Sequence, residues 1–139
     1  MLADPCSAIF AQADVARAAG MPIVKRSVTP AGSSATCSYE TGRPGHSVLV
    51  TVFETSSPDE ATVKFEQDAS SNQRLYVAPA VPVANLGDEA KAFGHTLWVR
   101  KRNVIFVINV IDVATRGATL DRAKALARAA LARIPPSTR

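Results

Sequence analysis

The chain of 139 residues has little of what most often carries chemistry: two cysteines, two histidines, one tryptophan and an aromatic fraction of 6%. No run of about 18 uncharged apolar residues occurs, so no segment reads as a membrane-spanning helix. The longest apolar stretch, residues 104–111, has a strand's length. The signature of disorder, low hydropathy with high net charge, is missing too. Hydrophobic residues make up 47% and charged residues 20%, enough for one domain with a real core. A net charge of +4 falls short of what polyanion binding needs. Phosphate-cradling glycine loops, a Gly-x-Ser-x-Gly elbow and a Ser-x-x-Lys pair are absent, and no cysteine neighbours a histidine. Cys6 and Cys37 have no second pair at zinc spacing, and two histidines make a poor metal set. The expectation is a protein without catalytic residues, metal or cofactor.

What is present is an alternation of strand and helix patterns. A first helix rests on Ile9, Phe10, Ala13 and Ala16 and stops at Gly20 and Pro22. Residues 23–28 are a weak strand, and residues 29–34 read as a turn. Strands over 36–41 and 46–55 pair around Gly42-Arg43-Pro44-Gly45, which puts Cys37, Tyr39, Val48, Val50 and Val52 on one core face. Ser57 as cap, Pro58 in the first turn and Glu60 completing a capping box open a second helix to about residue 70, with Ala61, Phe65 and Ala69 inward. Residues 70–82, with Pro79 and Pro82, read as a crossover or edge segment. A turn at 85–88 opens a short strand to Phe93. Strands 95–101 and 104–111 then pair through Arg102-Asn103, where Asn103 takes the positive φ. Thr119 caps a last helix to residue 134, whose stripe is Leu120, Ala123, Leu126, Ala127, Ala130, Leu131 and Ile134. The order α-βββ-α-βββ-α predicts one α+β domain over residues 1–139, with flexible ends at 1–5 and 135–139. It comprises about six mostly antiparallel strands with helices packed on the sheet.

The cysteines allow two readings, reduced core thiols in a cytosolic protein or one disulfide in an exported one. Orientation favours the disulfide. Cys37 points to the face that a helix must cover, and Cys6 stands just before the first helical pattern. Such a bridge stabilises by about 3–4 kcal/mol in the chain-entropy picture. It implies export. Met1-Leu2-Ala3-Asp4-Pro5 is no leader, so the chain reads as a mature one with its leader removed and Met1 added.

His46 and His95 each begin a strand beside a glycine and read as rim histidines in contact with solvent. Asp88 and Glu89 read as capping their turn. Arg100-Lys101-Arg102 beside Trp98 is a hairpin tip whose charges protect an edge, and aromatics do not recur at stacking intervals, so nucleic acid is not an expected partner.

The final hairpin is apolar on both sides. Leu97, Val99, Phe106, Ile108 and Val110 share the core face, while Trp98, Ile105, Val107, Thr96, Asn109 and Arg100 share the other, with Ile111 and Phe53 pointing likewise. Strands apolar on both faces are covered on both. The cover is a helix of the chain itself, the proline-bearing segment 76–83, a second copy, or a ligand.

Asp4-Pro5-Cys6 before a short alanine-rich helix, Cys37-Ser38-Tyr39, Leu86-Gly87-Asp88-Glu89-Ala90 and a terminal Ala-Leu-Ala-Arg helix together resemble small secreted lipoprotein-type domains of bacteria. These are abundant in actinobacterial cell envelopes and similar in plan to extracytoplasmic sensor domains of kinases. The resemblance implies export and a Cys6–Cys37 bridge and brings no catalytic residues. The leading expectation is a non-enzymatic exported domain. It would bind a small apolar ligand or an envelope protein on the face of Trp98, Ile105, Val107, Asn109, Arg100 and Phe53. The alternative is a homodimerisation module using that face or the alanines Ala125, Ala129 and Ala132. A hydrolase would need a cleft gathering His46 or His95 with carboxylates.

Overall fold

Alternating apolar positions along each strand build a seven-stranded antiparallel sheet, in a computed structural model that describes residues 5–76, 80–112 and 119–134. In chain order the elements are α1 (Pro5–Ile9), α2 (Gln12–Ala19), β1 (Lys25–Ala31), β2 (Ser34–Glu40), β3 (His46–Glu54) and α3 (Pro58–Tyr76). There follow β4 (Val81–Pro82), β5 (Glu89–Phe93), β6 (Thr96–Lys101), β7 (Val104–Asp112) and α4 (Thr119–Arg133). Spatially the strands run β1-β2-β3-β7-β6-β5-β4. Two meanders, one on each side of α3, thus meet through their last strands, β3 and β7. The α+β class is as expected. The strand count exceeds the expected six by the two-residue β4, which pairs with β5 at the edge, and the expected first helix is two.

The faces follow strand parity. Cys37 pairs with Val50 and Tyr39 with Val48, and Leu97 pairs with Ile108, all on the side packed by α1, α2 and α4. There Cys6 and Cys37 form the disulfide, which ties α1 to the second strand. Phe10 meets Phe106 edge-on at 5.4 Å. The stripe of α4 is as read: Ala123, Leu126, Ala127 and Ala130 are buried, with Leu120, Leu131 and Ile134 packed at its margins.

Several boundaries differ, each for a local reason. Phe10 turns into the core and Ala11 is extended (φ −69°, ψ 137°), which splits the first helix; Val15, Ala18 and Ala19 face inward instead of Ala13 and Ala16. The first strand extends through Pro30 to Ala31, because a proline is tolerated on an edge strand and only Gly32-Ser33 are needed for the turn. The second helix continues past residue 70 to Tyr76. Glu60 N–H donates to Ser57 Oγ at 3.1 Å as expected of a cap, while the Glu60 carboxylate takes the hydroxyl of Ser56. In the last hairpin Arg102, not Asn103, has the positive φ (52°). Asn103 instead donates its side-chain amide to Thr55 O at 2.8 Å and accepts from Thr55 N–H at 2.9 Å, pinning the end of β3. The expected flexible ends lie outside the described residues, apart from Pro5 in α1.

Candidate functional site

The far side of the sheet holds a second, smaller apolar cluster. Ala61, Phe65 and Ala69, one residue per turn of α3, cover Phe93, Trp98 and Ile105, with Phe53 and Val107 packed at the margin. Trp98 meets Phe65 at 6.3 Å and Phe93 at 5.9 Å, both edge-on. Trp98 is only 8% exposed and Ile105 is fully buried. The cover that sequence reasoning left open is therefore a helix of the chain itself. Trp98 and Ile105, two of the residues expected to meet a ligand, thus lie beneath α3.

The helix covers only part of that side. Register places Trp98 opposite Val107, Val107 opposite Thr51, Asn109 opposite Leu49 and Ile111 opposite Ser47. On one side of the sheet the seam between β3 and β7 therefore carries Phe53, Val107, Leu49 and Ile111 in a zigzag that leads out from the Trp98 cluster. Phe53, Val107 and Leu49 are half-buried and Ile111 is exposed. Over the six residue steps from Phe53 to Ser47 the seam is ~20 Å long at strand rise. Hydroxyls and one amide border it: Thr36 and Ser38 on β2, and Asn109 and Thr96 on the other flank. Thr36 and Thr51 hydroxyls lie 3.2 Å apart. Lys64 of α3 stands over the Phe53 ring, its Nζ 4.5 Å from the centroid, and pairs with Asp68 at 2.9 Å. Leu49 was not among the residues singled out from sequence, although it shares the parity of Phe53.

Arg100, expected on the same face, is committed elsewhere. Its guanidinium approaches Asp88 at 3.7 Å and Glu89 at 3.6 Å. Asp88 also accepts the backbone N–H of Arg102 at 2.7 Å and the Lys101 ammonium at 3.4 Å. The Arg102 amide, then Lys101 and Arg100, hold the Asp88 carboxyl below its ordinary value of 3.8 against the opposing effect of partial burial. Gly87, at φ 64°, allows this approach: a Cβ there would meet Arg100 O at 2.6 Å. Leu-Gly-Asp-Glu is thus a clamp on the hairpin tip, and Lys101 and Arg100 are neutralised within it.

His46 is not a rim residue. It is 5% exposed, with Nδ1 2.9 Å from Thr41 Oγ1 and Nε2 3.3 Å from Asp112 Oδ2. Asp112 is buried and is also bonded by Arg43 at 3.2 Å and Arg122 at 3.1 Å. The cluster joins the β2–β3 loop, β7 and α4. Thr41 is buried and its hydroxyl donates to the carbonyl of His46 at 3.0 Å, so this Thr-His-Asp array is occupied as a structural tie. Sequence reasoning missed it because Asp112 and Arg122 become neighbours of His46 only through the β3–β7 pairing. His95, exposed as expected, lies 3.0 Å from the Thr119 hydroxyl through Nδ1. Among the described residues no three His, Cys, Asp or Glu side chains are grouped to hold a metal ion, and no helix is long and apolar enough to cross a membrane.

Compared with family models, curated proteins and solved structures, the chain matches none of them significantly.

Proposed function

We propose that this chain is an exported, non-enzymatic binding domain of a bacterial envelope that takes a small apolar ligand on the β3–β7 seam beside α3. The observation that carries this reading is the apolar row of Phe53, Val107, Leu49 and Ile111, which continues the buried Trp98 cluster into the open between hydroxyl-bearing borders. An apolar floor with a few polar groups at its margin is the composition of small-molecule sites. The buried disulfide supports export, as does the sequence's resemblance to secreted lipoprotein-type domains.

The test is a methyl- and aromatic-resolved NMR titration with dodecanol, dodecanoate and dodecyltrimethylammonium below their micelle-forming concentrations, alongside emission of the single tryptophan. The reading expects shifts centred on Leu49, Val107, Ile111 and Phe53 with a change in Trp98 emission. A Leu49→Arg variant should retain the fold and lose the response. Absence of any response to all three probes, or a response centred on the α4 side, would overturn it.

A further inference from the structure

A second surface, independent of the seam, lies at the β1 edge of the sheet, which pairs with no further strand among the described residues. Strand β1 ends the sheet on that side, and most of its residues are exposed along its whole length. Ala31 and Ser34 flank the two-residue turn Gly32-Ser33, so they form the hydrogen-bonded closing pair. Alternation then points the backbone groups of Val28 away from β2, with an outward N–H and C=O, and leaves Pro30 an outward C=O. Val24 and Val28 are among the few large apolar side chains left exposed, at 67% and 39%. Edge strands are usually blunted by charge or proline; here Lys25 and Arg26 stand at one end and Pro30 near the other, Arg26 lies over the Tyr39 ring at 5.9 Å, and residues 27–29 between them are uncharged.

At the Lys25 end the edge runs into a depression of about 430 Å³ lined by Val24, Lys25, Glu40, Arg43, His46 and Ser47 together with the loop glycines. Lys25 and Glu40 are directly opposed across the strands. Arg43 and Arg122 share the single carboxylate of Asp112, so the three groups carry one net positive charge, and the Arg43 side chain is 47% exposed.

Strand polarity connects the two features. A strand added to β1 in the antiparallel sense, the sense of every pairing in this sheet, runs opposite to β1. It therefore finishes beside Lys25, where the depression begins. We propose that β1 and this depression bind an extended peptide segment of a partner protein by strand addition, with its terminal carboxylate received by Arg43 and Lys25. Backbone pairing supplies affinity, the exposed Val28 selects an apolar side chain opposite it, and the cationic corner selects a chain end over a chain interior.

The experiment uses the full, disulfide-intact chain and a short N-acetylated valine–threonine peptide, with its C-terminus either free or amidated. Amide hydrogen exchange and chemical shifts report on β1, and calorimetry gives affinity. The free acid should slow exchange at Val28 and shift Lys25 and Ser47, and the amidated peptide should bind about tenfold more weakly or worse. Val28→Pro should abolish pairing, and Lys25→Glu should remove the preference for the free acid. The acid-against-amide comparison needs no variant, so it stands even if one of these fails to fold. Equal binding of acid and amide, no protection at β1 with either, or self-association through β1 seen as a concentration-dependent mass that Val28→Pro removes, would each overturn the proposal. None of these outcomes bears on the seam.

Discussion

The two sides of the sheet are built from the same strands yet are held very differently. On one side α1, α2 and α4 converge on a continuous core in which Tyr39, Phe106, Ile108, Leu97 and Leu126 are fully or almost fully buried, and a disulfide fastens the first helix to β2. On the other side a single helix rests on Phe93, Trp98 and Ile105 through Ala61, Phe65 and Ala69. Among the described residues no helix covers the part of that side along the outer β3–β7 seam, where Leu49, Val107 and Asn109 are half-buried and Ile111 is exposed. Burial of apolar area is the main source of stability, so the first side is expected to set the global stability and the second to open first. On the proposed ligand-binding reading, the weakly held side is the one from which an element that moves on binding is expected.

The comparison can be broken most severely from the first side. Phe106→Ala removes a fully buried ring and its partner contact with Phe10, and should cost about 3–5 kcal/mol of global stability by urea unfolding. Replacing Cys6 and Cys37 together by alanine should cost about 3–4 kcal/mol in the same assay; an unchanged unfolding midpoint would show that the bridge does not constrain the unfolded chain.

Perturbing the second side should act locally. Phe65→Ala should cost about 3 kcal/mol, at the low end for such a change because α3 can settle toward the sheet. Its signature is faster hydrogen exchange in α3 with little change in α4. Equal acceleration in both helices would remove the distinction between the two sides.

The smallest effect is at the hairpin clamp. Asp88→Asn should cost about 0.5–1 kcal/mol, since the carboxylate is partly solvated. Asp88 titrates lower when folded than its ordinary 3.8, so its contribution is present above that pH and fades as pH falls through the folded value. The variant's stability curve should accordingly be flatter at the acid end; a variant that parallels the wild type there would contradict the assignment.

Much of this division was legible in the residues. Parity in strands β2, β3, β6 and β7 assigns Cys37, Val50, Leu97 and Ile108 to one side and Trp98, Val107 and Phe53 to the other, because a period of two leaves no freedom once a strand is recognised. The heptad-like stripe of α4 was equally clear. What covers Trp98 was not legible, since Ala61-x-x-x-Phe65-x-x-x-Ala69 gives a helix an inward stripe without saying on which side of the sheet it lands. The split between α1 and α2 escaped because alanine-rich sequence favours an unbroken helix, and only the burial of Phe10 against Phe106 interrupts it. The Asp112 cluster was invisible for a topological reason. Residues 43, 46, 112 and 122 belong to different elements and meet only after the two meanders have joined.

Native-state hydrogen exchange, with and without dodecanol, tests the central claim most directly. The account predicts that α3 amides exchange through an opening of lower free energy than α4 amides, and that dodecanol protects α3 and the outer seam while leaving α4 unchanged. Exchange of α3 and α4 in one cooperative unit, with dodecanol altering neither, would contradict it.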